Sequence, residues 1–178
     1  MRVCVYCGSS PGDDPRFVDA ARAMGAGLAR AGIGLVYGGG RVGLMGALAD
    51  AAIAEGGEVV GIIPRFLEER EVAHRGAGVQ LQVVGSMHER KAAMAEQSDA
   101  FVALPGGFGT LEELFEIVTW VQLGLLAARC LAVNVAGYYD PLVALVDGAA
   151  RRGFLSARNR AILEVAGSVD EALAMLQR

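Results

Sequence analysis

The stretch over residues 100–120, A-F-V-A-L-P-G-G-F-G-T-L-E-E-L-F-E-I-V-T-W, constrains the fold more than any other part of the chain. Five apolar residues lead into a turn holding Pro105 and three glycines, and an amphipathic run follows. That order predicts a buried strand that stops and feeds a helix. Gly106, Gly107 and Gly109 let the backbone approach a ligand closely. A helix starting near Thr110 would aim its unpaired N–H groups and positive dipole end at that ligand, making the turn an anion site.

The rest of the chain repeats the strand-to-helix pattern with little between. Strands are expected over residues 2–6, 34–37, 59–63, 79–84 and 131–135, with a short apolar segment at 162–165. Helices are expected over 15–31, from the 38–43 glycine cluster through 54, and over 87–97, 141–152 and 169–176, the first with Pro15 in its first turn. Residues 65–78 read as a polar loop of about fourteen residues, a length often given to function. Alternating elements with short apolar strands imply a Rossmann-like α/β fold. Its doubly wound parallel sheet would have about seven strands and helices on both faces. Ligands of such sheets bind beyond the carboxyl ends of the strands, where strand order reverses. The loops at 7–10, 38–43, 85–90 and 105–110 should meet there.

At 178 residues with 53% hydrophobic content and a mean hydropathy of +0.39, the chain is expected to be one nucleotide-binding domain over 1–178. A net charge of −4 without a basic tract argues against a nucleic-acid polymer as partner. No apolar run is long enough for a membrane span, and the apolar start is too short for a signal peptide, so a cytoplasmic location is expected. Three sparse cysteines, Cys4, Cys7 and Cys130, fit reduced thiols. Cys4-x-x-Cys7 lies in a strand rather than at a helix start and has no second pair, so it reads as packing rather than redox or metal chemistry.

The cluster Gly38-x-Gly40-x-x-Gly43 satisfies the dinucleotide fingerprint, but no acid closes the following strand, which ends Ile62-Ile63-Pro64-Arg65. A phosphate-facing role is kept for it and the dinucleotide role set aside. Ser86/Glu89, Thr110/Glu113 and Ser168/Glu171 match the capping box. Glu113 therefore reads as a helix cap that also stands beside any anion bound at the glycine turn. Arg90 and Lys91, the latter the only lysine, fall in a first helical turn where the dipole disfavours cations. A bound anion shared with the glycine turn would account for them.

Ser86-Met87-His88-Glu89-Arg90-Lys91 followed by Pro105-Gly106-Gly107-Phe108-Gly109-Thr110-Leu111-Glu112-Glu113 resembles the LOG (Lonely Guy) family of cytokinin riboside 5'-monophosphate phosphoribohydrolases. Cys7-Gly8-Ser9-Ser10, Tyr37-Gly38-Gly39-Gly40, Gly43-Leu44-Met45, Ile63-Pro64, Thr119-Trp120 and Gly137-Tyr138-Tyr139 extend the resemblance over nearly the whole chain. The resemblance implies hydrolysis of the N-glycosidic bond of an N6-modified AMP, or of AMP, to free base and ribose 5-phosphate, with no cofactor and no metal. It implies Arg90 and Glu113 as the catalytic pair. Lys91 and the run Gly107, Phe108, Gly109, Thr110 become nucleotide-binding, with Glu71 and Thr119 as further pocket residues. Met87, Gly106, Leu111, Glu112, Gly39, Gly40 and Ser9 complete the substrate-binding set.

A glycosidic bond breaks through an oxocarbenium-like state that a carboxylate can stabilise while activating water. Glu113 has that chemistry, with Arg90 orienting it. Neither His88 nor His74 is placed by the sequence to protonate the leaving base. Two other readings share the scaffold. Lysine decarboxylase, a label the family has carried, needs a Schiff-base lysine, and Lys91 is inside the nucleotide motif. A non-catalytic nucleotide carrier would lack the Arg90–Glu113 pair. A homodimer is expected from the resemblance and from Leu114, Phe115, Val118, Val121 and Leu125, more apolar surface at helical spacing than one sheet can cover.

Overall fold

A computed structural model describes residues 1–68 and 73–178. The chain runs β1 (Arg2–Tyr6), α1 (Pro15–Arg30), β2 (Gly34–Tyr37), α2 (Gly43–Ala54), β3 (Val59–Pro64), α3 (Arg65–Glu68) and β4 (Val79–Val84). It continues α4 (Met87–Glu96), β5 (Ala100–Ala103), α5 (Phe108–Gln122), β6 (Arg129–Val133), a 3-10 turn (Val135–Gly137), α6 (Asp140–Arg151), α7 (Ala157–Arg160), β7 (Leu163–Ala166) and α8 (Val169–Leu176). The seven strands form one parallel sheet in the order β4-β3-β2-β1-β5-β6-β7. Strand order reverses at β1, which pairs with β2 on one side and β5 on the other. The crevice of a doubly wound sheet opens there.

Strand alternation sorts the core. Val3, Val5, Leu35, Tyr37, Val102 and Leu131 face α1, α2 and α8, while Cys4, Tyr6, Val36, Ile62 and Phe101 face α4 and α5. Ala103 and Ala132 pack against α5 and α6 through Leu114, Tyr139 and Val146. The inner strands are buried on both faces, whereas β4, V-Q-L-Q-V-V, is an edge strand with half its residues exposed. Cys4 and Cys7 belong to opposite faces, so the C-x-x-C spacing serves two separate cores. Among the described residues no helix is long and apolar enough to cross a membrane.

Most boundaries fall within a residue of expectation, and three departures are larger. The helix expected near Thr110 begins at Phe108, with Gly107 at the N-cap and no side-chain cap. Thr110 is therefore inside the first turn, and the capping box expected for Thr110 and Glu113 does not form. The other two segments form the serine half of the box, with the Ser86 and Ser168 hydroxyls accepting from Glu89 N and Glu171 N at 3.2 and 3.1 Å. Their glutamates accept from Gly85 N and Gly167 N. The loop expected at 65–78 opens with α3 and includes a bridge between Gly40 and Ala73. The sixth strand lies two residues earlier than expected, and the turn after it holds Ala136 and Gly137 at positive φ.

Helices α1 and α2 cross closely because Gly25 has no side chain. A Cβ there would lie 2.1 Å from the Leu48 carbonyl oxygen, a backbone atom that cannot step aside. Gly25→Ala is expected to cost about 1–3 kcal/mol, as overpacked cores do. Thermal denaturation should show a melting point lowered by several degrees; an unchanged one would mean the helices are not locked at that distance.

Candidate active site

The carboxyl ends of β1 and β2 and the starts of α4 and α5 enclose a cleft of about 210 Å³. Two backbone bonds fix its floor. Leu104 N donates to Tyr6 O at 2.9 Å and Gly8 N to Pro105 O at 3.1 Å, carrying the β1–β5 ladder into both loops. Gly106 is needed for this approach: a Cβ there would meet Thr110 Oγ1 at 2.1 Å and Gly8 N at 2.8 Å. Beyond it, Gly107, Phe108, Gly109 and Thr110 line the cleft. They carry the amides at the start of a 15-residue helix whose N-cap has no side chain to fill them. An anion placed there meets both the donors and the positive end of the helix dipole.

Arg90 and Glu113 close the cleft from α4 and α5. Both are buried, and Arg90 Nη1 stands 3.9 Å from Glu113 Oε1. The Arg90 guanidinium donates from Nη2 to Gly38 O at 2.8 Å and from Nε to Ile62 O at 3.1 Å, the carbonyl edge of β2 and β3. Met87 Sδ lies 3.9 Å from Nη1. Glycine at 38 leaves room for this guanidinium: a Cβ there would come within 2.2 Å of Arg90 Nη2 and would displace it. The pair therefore joins a cation locked to the sheet edge with a carboxylate on the first turns of α5. That carboxylate is in reach of a water or sugar in the cleft.

Burial pushes the Cys7 thiol well above the usual range; Glu113 adds to that and Arg90 opposes it. Burial likewise raises Tyr6, reinforced by Cys4 and Glu113, and raises Cys4. Away from the cleft, burial with a contribution from Glu164 lifts Cys130 to about 12. Among the described residues, the thiols and the phenol raised by burial near Glu113 and Arg90 thus stay neutral at physiological pH.

Of the residues singled out in the sequence, Arg90, Glu113, Met87, Ser9, Gly107, Phe108, Gly109 and Thr110 line the cleft. Gly106 is on the other side of the same turn, in an adjoining depression with Ser9 and Tyr138. Gly39 and Gly40 do not line the cleft. Gly39, at φ +77°, packs on Ile62 and Ile63, and its carbonyl accepts from His74 N. Lys91 does not line the cleft; its Nζ is 2.5 Å from Glu112 Oε1 and 3.0 Å from Glu116 Oε1. Leu111 packs toward α6 and Thr119 donates to Phe115 O on the outer face of α5. Glu71 lies outside the described residues. The two adjacent cations thus have protein partners, where a shared anion was expected. Tyr6, Cys7, Met45 and Met94 also line the cleft and are not among the candidate site residues, Cys7 reading as packing; β1's period-two pattern and the i, i+4 relation of Arg90 to Met94 point to two of them.

The fold and the cleft define a Rossmann-like α/β protein with a buried Arg–Glu pair at its topological switch point. The family described as "Possible lysine decarboxylase" matches residues 45–176. The chain is 46% identical over 176 residues to the cytokinin riboside 5'-monophosphate phosphoribohydrolase LOG1 of Arabidopsis thaliana, covering 99% of this chain and 82% of that one. With the cytokinin riboside 5'-monophosphate phosphoribohydrolase of Rhodococcoides fascians it shares 47% over 176 residues, 98% of this chain and 88% of the relative. The chain belongs to the LOG family. Among solved structures, the molybdenum cofactor carrier protein of Chlamydomonas reinhardtii aligns with a TM-score of 0.70 at 19% identity, covering 99% of this chain and 95% of that one. That likeness is one of fold alone.

The residues do not suit the pyridoxal chemistry that a lysine decarboxylase commonly uses. A Schiff base needs an unprotonated lysine amine in the cleft. Burial alone would lower Lys91, but the Glu112 and Glu116 carboxylates hold it above the usual lysine range, and it is not among the residues lining the cleft. It is the chain's only lysine.

A raised thiol pKa means the neutral, unreactive form persists through neutral pH. A thiol-reactive dye at pH 8 should label none of the three cysteines in the native protein and all three in denaturant. Rapid native labelling of Cys7, traced by peptide mass analysis, would show the cleft to be more open and more polar than described.

Proposed function

We propose that this chain hydrolyses the N-glycosidic bond of cytokinin riboside 5'-monophosphates, N6-modified AMP, releasing the free base and ribose 5-phosphate. The observation that carries the reading is a buried Arg–Glu pair beside an uncapped helix start, in a chain 46–47% identical over nearly its full length to phosphoribohydrolases. The 5'-phosphate takes the Gly107–Thr110 amides. That places the ribose over Glu113, and the remote phosphate contacts position the reacting carbon.

The C1'–N9 bond breaks with its electron pair going to the base, and C1' gains positive charge. Glu113 stabilises that charge and takes a proton from the attacking water, whose oxygen bonds to C1'. The proton balance closes when the departing base nitrogen is protonated. Arg90, 3.9 Å away, fixes the direction of the Glu113 carboxylate. Its own charge is held back from the developing cation by the Gly38 and Ile62 carbonyls.

We also propose a cytoplasmic homodimer. The expected apolar stripe divides: Leu114 is buried and Val118 and Val121 are half-buried, whereas Phe115 and Leu125 are exposed by 41% and 70%. Leu123 and Phe108 extend that exposed surface. Thr119 shares this outward side of α5, so a nucleotide contact from Thr119 requires the nucleotide of a second copy.

Incubation with AMP and with isopentenyladenosine monophosphate, followed by separation of base from nucleotide, should release free base from at least one; no cleavage of either would overturn the function. Glu113→Gln should fold and bind nucleotide but turn over roughly a hundredfold more slowly, the usual loss for an acid/base group. Near wild-type turnover would exclude its role. Light scattering at micromolar concentration should give twice the chain mass, and a monomer would remove the dimer.

A further inference from the structure

The turn after β6 contributes no residue to the cleft described above, yet it holds the one non-glycine residue at positive φ among those described. Ala136 takes φ 56° and ψ 23°, and Gly137 follows at φ 76°. An L-residue in that region costs about 1 kcal/mol or more and persists only where its surroundings impose it. Asn134 imposes it from both sides: Oδ1 accepts from Tyr139 N at 2.7 Å and Nδ2 donates to Asp140 Oδ1 at 2.7 Å.

This turn sends two adjacent tyrosines to one target. The Tyr139 hydroxyl, fully buried, donates to Leu104 O at 2.8 Å, and the Tyr138 hydroxyl donates to Gly106 O. Between them Pro105 O accepts from Gly8 N. Three successive carbonyls of the glycine turn are thus each held from outside it. A peptide unit is planar and trans, so fixing the Gly106 carbonyl fixes the Gly107 N–H on the opposite side of the same plane. That N–H belongs to the N-cap of α5.

We infer that residues 134–139 form a clamp that sets the direction of the anion-binding amides, with Tyr138 and Tyr139 as positioning residues for the substrate's 5'-phosphate. The inference rests on the phosphate lying at the start of α5. Packing alone does not need the hydroxyls. The Tyr138 ring is already seated edge-on to Phe17 at 5.8 Å and to Tyr139 at 5.0 Å, contacts that phenylalanine keeps.

The test compares wild type, Tyr138→Phe and the double variant Tyr138→Phe/Tyr139→Phe on isopentenyladenosine monophosphate and on the riboside lacking the phosphate. Tyr138 is 38% exposed, so its single variant should melt within about two degrees of wild type. KM for the nucleotide should rise about tenfold with kcat within about twofold, the effect of one lost hydrogen bond. Riboside cleavage should not change, and the double variant should lose more on the nucleotide alone. Unchanged nucleotide KM in both variants, or equal losses on both substrates, would overturn the clamp. A wild type that cleaves riboside as well as nucleotide would instead refute the phosphate's placement.

Discussion

The Arg90 guanidinium is the interaction on which the cleft depends. An arginine buried to 6% exposure carries a desolvation cost of several kcal/mol unless its donors are filled. Here Gly38 and Ile62 fill two of them, and both are carbonyls just past the last pair, Tyr37 and Gly61, of the β2–β3 ladder. A parallel sheet always has such a fringe of carbonyls at its carboxyl edge. The fold supplies the acceptors, α4 supplies the cation, and the cation in turn makes a buried Glu113 tolerable.

The rest of the cleft follows from the reversal of strand order at β1. The loops after β1 and β5 lie side by side because their strands pair, and the ladder runs on from Tyr6 and Leu104 to Gly8 and Pro105. Gly43 lets the start of α2 touch the same place, since a Cβ there would fall 2.3 Å from the Ser9 carbonyl. Leu44 N donates to Gly8 O at 3.1 Å. The fingerprint-like glycine cluster is thus spent on packing one helix against a neighbouring loop and on admitting Arg90.

Much of this was legible in the sequence, for physical reasons that differ by element. The inner strands are apolar runs bounded by glycine and proline, and Gly34–Tyr37 fell where expected. The start of α5 did not, because Phe108 and Gly109 are weak helix formers and the T-x-x-E pattern at Thr110 imitates a cap that a glycine N-cap makes unnecessary. Side-chain partners across long separations were less legible still. Nothing local in Arg90-Lys91 says that one turns inward to Gly38, 52 residues away, while the other reaches Glu112 and Glu116 on the next helix. The clamp after β6 was visible only as Gly-Tyr-Tyr, since hydroxyl targets are set by tertiary structure.

The central claim is that Arg90 acts through its fork: two sheet carbonyls held by one planar group, with Nη1 kept toward Glu113. Arg90→Lys keeps the charge and loses the fork, so its turnover on isopentenyladenosine monophosphate tests that claim most directly. The account predicts a fall in kcat of about a hundredfold or more, with the far-ultraviolet circular dichroism spectrum unchanged and nucleotide affinity within a few fold. A lysine variant that turns over within a few fold of wild type would show that charge alone suffices and would contradict the account.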